Sequence, residues 1–388
     1  MFLAIYLLIG FAWIANSNGY LDPTGKPLGT DFLNQYAASK LILAGNAELS
    51  YDIARHAEVE IEVIGSGGFG YYGWHYPPMA LLIVAPFALF SYGMALTLWM
   101  AVTLALNIFV VRKIVTAPGL IITSLAFSAV LINIGHGHNG FLSGALLGGA
   151  LYLLKNGRQV AAGVLIGLLV YKPQFGVLIP FALMAGSYWR TFFAAAVTAC
   201  LFAAASWMTF GPETWSAFQL STEVTRTIIL EQGATGWEKI QSFFSLVRIL
   251  GGSLGFAYAI QALATASMIL AVIWLWRGPS SFNLKAAGLI VASLIATPYV
   301  LDYDLIILGL AIAFLVAEGQ ADGFHPWEVS ILAFLWIWPL FARSVAAASA
   351  VQFTPILLAS VMYMIISISV KQNHGHPPEP DRAVPQQT

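Results

Sequence analysis

Charge is what this sequence has least of: 9% of its 388 residues are Asp, Glu, Lys or Arg, against 59% that are hydrophobic. So thin a polar complement cannot clothe a water-soluble surface. The single cysteine, Cys200, sits inside an apolar run, which excludes both a disulfide framework and a cysteine metal cluster. The net charge of -1 comes with no basic stripe and no aromatic RNA-binding motif, so nucleic acid is not an expected partner. Heptads, strand-like alternation and a clear internal repeat are missing too.

What is there is a succession of apolar runs of roughly 15 to 20 residues, the length that crosses a bilayer core of about 30 Å. They fall near 2–15, 94–111, 118–134, 141–154, 160–171, 174–188, 191–210, 254–276, 286–297, 305–317, 329–342 and 353–370. The expectation is an all-α, polytopic transmembrane helix bundle of about twelve spans, forming one domain over 1–370. The tail 371–388, rich in Pro, Gln and His, reads as disordered and cytoplasmic, with His374 and His376 solvated rather than metal-binding.

Residues 1–15 resemble a secretory signal but lack its positively charged start, so they read as an uncleaved first helix. The missing basic residues point to a start codon further upstream. The run 79–92 decides the sidedness of everything after it. Its Pro77-Pro78 entry suits a helix lying in the outer interface. Arg112, Lys113, Lys155, Arg158, Arg190, Arg277, Lys285 and Lys371 then fall on the cytoplasmic side, together with both termini. Arg343 falls on the other side, and the inner loop 318–328 holds three acids and no cation, so two features run against this map. On it two long segments face outward from a bacterial inner membrane: 16–92, carrying interfacial helices, and 211–241.

Ionisable groups at membrane depth are costly, and on this map they gather at the outer helix ends. Asp31, with Thr30, opens an amphipathic helical pattern and is followed by Tyr51-Asp52. On spacing alone Asp31 is more readily a helix N-cap, worth about 1 kcal/mol, than a catalytic group. Trp74, His75, Tyr76, Pro77 and Pro78 read more readily as an interfacial aromatic belt than as a site. His136, His138 and Asn139 lie in a Gly-rich turn without an adjacent third metal ligand. Lys172, beside Gln174, is a lone cation between apolar runs; it either snorkels to the interface or meets an anion such as a lipid phosphate. Asp302 and Asp304 lie in the run 297–304, and Gln241, Ser242 and Arg248 close the second outer segment. Together these clusters suggest one cavity for a ligand that is both charged and hydroxylated.

Asp31-Phe32, Tyr51-Asp52, Tyr76-Pro77-Pro78, Gly135 through Asn139, Lys172-Pro173-Gln174 and Pro298 through Asp304 stand in an order that resembles glycosyltransferase family 87, over about residues 2–317. That family belongs to the GT-C superfamily of polytopic, polyprenyl-phosphate-sugar-dependent enzymes, and its best-known members are mannosyltransferases of phosphatidylinositol mannosides. The resemblance implies a hexosyltransferase with Asp31 as general base on the acceptor hydroxyl; inversion would follow from a single displacement, and an outer-face site from the map above. The donor would be a polyprenyl phosphate sugar, mannose-like, and the acceptor a lipid or glycan, with membrane lipids as surroundings. Lys172, Arg248 and Gln174 would meet the donor phosphate, and Tyr51, His75, Tyr76, His136, His138, Asn139, Asp302 and Asp304 the rest of the substrates. No cofactor or metal is called for, although a divalent metal is compatible with the sequence. His136-Gly137-His138-Asn139 replaces a Gly-Gln-x-Asn turn of many relatives, and Tyr299 through Asp304 stands where others have a Trp and a His. These departures leave the sugar and the acceptor open. A transporter or flippase of lipid-linked sugars is the rival of another class, but such proteins favour mid-membrane charges and repeats. A polymerase or ligase using lipid-diphosphate donors is a second rival.

Overall fold

The computed structural model describes residues 1–375. These residues fold almost wholly into helices, with no strand beyond isolated bridges such as Ile240–Leu301. Backbone groups in an apolar surrounding must pair within their own segment, and helices achieve this.

By length and composition five helices are able to cross a membrane: Tyr92–Ile114, Trp189–Glu231, Leu254–Arg277, Asp302–Asp322 and Thr354–Gln372. A sixth arises if the pair Glu328–Ile337 and Pro339–Ser349, bent by 74°, counts as one. The expectation of about twelve is therefore not reached on this measure. Several of the remaining runs form helices of 10–17 residues, among them Phe2–Ala15, Gly140–Lys155 and Phe282–Ala296. The run 118–134 breaks into Leu120–Leu125 and Ser128–His136. Met79–Val84, continued by a short 3-10 turn, is also brief.

Phe282–Ala296 is the centre of the core, buried along nearly its whole length against Leu254–Arg277, Leu308–Asp322 and Thr354–Gly375. Trp189–Val224 packs along Gln159–Leu168, where a Cβ on Gly163 or Gly167 would collide with Ala194 or Thr198; small residues four apart let two apolar helices approach closely. The long helix is broken at Gly211, whose φ of 77° and ψ of 171° no helix contains, and Pro212 starts the second half. Thr214 Oγ1 donates to the Phe210 carbonyl at 2.7 Å, and so satisfies an acceptor near the break.

The segment 211–241, expected to face outward, is therefore mostly helical, continuing as a π-helical turn over Thr225–Glu231. In the segment 16–92, Thr30–Leu43 is not an amphipathic surface helix: Phe32 through Ser39, and Leu41, are all buried. Asp52, in turn, is an ordinary N-cap, accepting from Arg55 N at 2.9 Å. Helical structure continues to Gly375, past the expected start of the tail at 371. His376 and the rest of the tail lie outside the described residues.

Candidate active site

The site is assembled where two glycines press together. Gly29, at φ 71°, ends the chain before Thr30–Leu43, and a Cβ on Gly137, itself at φ 62°, would meet Phe32 Cβ at 2.6 Å and Gly29 Cα at 3.2 Å. Side chains there would push the 135–140 turn off the helix start. With both absent, His136 Nδ1 reaches Asp31 Oδ2 at 3.0 Å and Thr30 Oγ1 at 2.8 Å. The N-cap of this helix is Gly29, without a side-chain cap, so Asp31 does not serve as one. Burial opposes the charged form of Asp31, yet Lys239, the hydrogen bond and charge of His136, and His138 together hold its carboxyl well below the usual carboxylate range.

A second polar group faces it. Pro173 interrupts the apolar helices, leaving Lys172 between two 3-10 turns. Lys172 Nζ lies 2.5 Å from Asp304 Oδ1 and 3.3 Å from His138 Nε2, all three buried. Asp304 Oδ2 also accepts from Leu301 N at 3.1 Å. The anion that Lys172 needs is thus built into the fold. The His138 ring stacks on Tyr303 with centroids 3.6 Å apart, and the Tyr76 hydroxyl stands 3.3 Å from His138 Nε2. Tyr51 donates to the Tyr76 carbonyl at 2.9 Å, and Trp74 is buried against the Tyr76 ring, so this aromatic group packs inward rather than forming a belt. His75 Nδ1 pairs with Thr225 Oγ1 at 2.8 Å; burial brings the His75 pKa down to about 4 despite Asp31, leaving it neutral at pH 7.

Two adjoining chambers surround these groups. The first, about 470 Å³, is lined by Asp31, His75, Tyr76, His138, Lys172, Gln174 and Asp304. The second, about 590 Å³, is lined by Asp31, Tyr51, His75, His136, Lys239 and Arg343. Asp31, Gly73, His75, Tyr299 and Tyr303 belong to both walls. An apolar groove of about 380 Å³ shares Pro173 and Val177 with the first chamber.

Three expected site residues line neither chamber. Asp302 is buried, its Oδ1 accepting from Tyr303 N at 2.9 Å. Arg248 donates to the carbonyls of Gly252 and Glu231 at 2.8 and 3.3 Å and lies over Trp237, so a helix end consumes its donors. Asn139 is buried behind the first chamber, where its carbonyl accepts from the Tyr171 hydroxyl at 3.2 Å.

Other residues of the walls were not expected, among them Asn34, Thr225, Arg226 and Lys239. Lys239 is carried in by a short extended pairing in which Gln241 N donates to Val300 O at 2.7 Å and Asp302 N to Lys239 O at 3.1 Å. Its Nζ lies 4.9 Å from the Tyr303 ring centroid. No carboxylate among the described residues is within ion-pair distance of it, whereas Arg226 is paired with Glu223 and Glu231, and Arg343 with Glu238. Among the described residues no three His, Cys, Asp or Glu side chains gather as a metal site.

The chambers offer a carboxylate near a cation and hydroxyl-bearing aromatics, next to an apolar groove. Comparison with curated proteins and with solved structures gives no match. Among protein families, Glycosyltransferase family 87 matches residues 74–298, a stretch that contains His75, His138, Lys172 and Lys239 but neither Asp31 nor Asp304.

Proposed function

We propose that this chain, which belongs to glycosyltransferase family 87, transfers a mannose-like hexose from a polyprenyl phosphate sugar to a lipid or glycan acceptor on the outer face of a bacterial inner membrane. The observation that carries the reading is the position of Asp31, a carboxylate on the wall shared by the two chambers. One chamber would take the donor and the other the acceptor. The apolar groove that meets the first chamber at Pro173 and Val177 supports a lipid-linked donor there. Nucleotide sugars are cytosolic, so a site facing outward needs a donor already carried across.

In the reaction Asp31 takes the proton of the acceptor hydroxyl as its oxygen attacks the anomeric carbon. The bond from that carbon to the phosphate oxygen breaks, and the lipid phosphate leaves with the electron pair. Lys172 and Lys239 stabilise the departing charge electrostatically. A single displacement inverts the anomeric centre. Lys172 enters already neutralised by Asp304, which leaves Lys239 as the stronger attractor of an anion. Purified protein incubated with several polyprenyl phosphate sugars and an acceptor-containing membrane extract is expected to release polyprenyl phosphate from one of them. Release from none, with folded protein, overturns the donor assignment.

A further inference from the structure

Asn34 follows Asp31 by one turn of the helix Thr30–Leu43, which places the two side chains on one face with Cβ atoms about 5–6 Å apart. Both line the first chamber. Asn34 is 4% exposed, and its carboxamide makes no hydrogen bond to any described residue, with Oδ1 sealed away and unpaired. Its main chain is by contrast held: the Asn34 carbonyl accepts from His56 Nε2 at 3.1 Å. A buried amide without partners is unfavourable, and an apolar residue of the same size would avoid the cost. The chamber wall therefore carries a polar group that the fold itself does not use.

With Oδ1 sealed, Nδ2 is the atom of the amide left to act on a ligand, and its N–H donates to an alcohol oxygen. During transfer the acceptor oxygen sits between Asp31 and the anomeric carbon, so the hydroxyl on the neighbouring ring carbon is the donor group nearest to the reacting atoms. Given the donor assigned above, we propose that the Asn34 carboxamide hydrogen-bonds the transferred sugar's hydroxyl on the carbon next to the reacting one, making residue 34 a determinant of which hexose is accepted. Mannose and glucose differ in configuration at that carbon alone, so the amide reads the distinction between them.

The test measures binding of polyprenyl phosphate mannose, polyprenyl phosphate glucose and sugar-free polyprenyl phosphate to the full chain in detergent, for wild type, Asn34→Leu and Asn34→Ala. Wild type is expected to bind one hexose donor more tightly than the sugar-free lipid and than its epimer. Both variants are expected to lose about tenfold of that margin, with affinity for the sugar-free lipid unchanged and with ligand-free melting of Asn34→Leu no lower than wild type. Variants that keep the full margin, a wild type without a margin, or both variants melting well below wild type overturn the proposal. A wild type that binds none of the three lipids refutes the donor assignment itself, an outcome separate from failure of the variants.

Discussion

Replacing Asp31 with Asn separates chemistry from folding, because the structure removes the competing explanation. The helix Thr30–Leu43 takes Gly29 as its N-cap, so the substitution removes no capping bond. It does remove a negative charge from the first turn, worth about 0.3–1 kcal/mol through the helix dipole, and it weakens the bond to His136 Nδ1 from charge-assisted to neutral, a change of about 1 kcal/mol. Relief of a desolvated carboxylate offsets part of this. Net stability should move by no more than about 1–2 kcal/mol. Loss of a general base, by contrast, typically costs about 10²- to 10⁴-fold in rate, equivalent to about 2.7–5.4 kcal/mol in the barrier. The assay is release of polyprenyl phosphate by wild type and Asp31→Asn, beside their melting in detergent. Because the wild-type carboxyl sits below its ordinary value of 3.8, it is charged across neutral pH, and its own protonation adds no acid limb to turnover between about pH 5 and 8. Near-wild-type turnover of Asp31→Asn refutes the base assignment and moves the search to the acids of the 302–304 turn.

Lys172→Gln should destabilise the protein by about 3–5 kcal/mol by stranding the buried Asp304 carboxylate, and adding Asp304→Asn should recover most of it; a single variant that melts like wild type contradicts this. Lys239→Gln should lower melting somewhat, since Lys239 is the foremost charge offsetting the burial of the Asp31 carboxylate, while weakening polyprenyl phosphate binding by about tenfold or more; unchanged affinity returns the phosphate to Lys172. Burial pushes Glu60 up to about 8 from 4.5, against the pull of Tyr72 N, so its neutral form contributes stability that is lost as pH rises through that interval. His56, lowered by burial from 6.5 to about 4, works in the opposite direction at lower pH. Glu60→Gln should therefore flatten the fall in melting temperature between about pH 6.5 and 8, and an unaltered slope counts against the buried neutral acid.

Helix positions were largely legible, because an apolar run long enough to matter has one way to satisfy its backbone. The runs 2–15 and 254–276 correspond to Phe2–Ala15 and Leu254–Arg277. Breaks inside runs were not: 118–134 is split, and 329–342 bends at Pro339. The site shows the same division. Asp31, His75, Tyr76, His138 and Lys172 were legible as polar residues in apolar surroundings, and they do meet. Whether Asp302 or Asp304 faces Lys172 depends on a 3-10 turn, where residues two apart point about 240° from each other, and no hydropathy pattern carries that. Arg248 looked available until its own helix end took its donors. Lys239 enters through a pairing with residues some sixty positions away, and Asn34 looked like one more polar residue on a surface helix.

The break at Gly211 has a mechanical consequence. The apolar stretch before it and the wall of both chambers after it form one element in sequence, yet they meet at a residue where the helical hydrogen-bond ladder is interrupted and Thr214 restores an acceptor from the side. A continuous rod would transmit every tilt of its apolar half to Ser221 and Thr225 in the wall. With a joint in place, tilting of residues 189–210 to match a thinner or thicker bilayer would be taken up at Gly211 rather than passed to the chamber wall; turnover that changes with bilayer thickness as steeply in wild type as in Gly211→Ala, strained at that φ, counts against the joint.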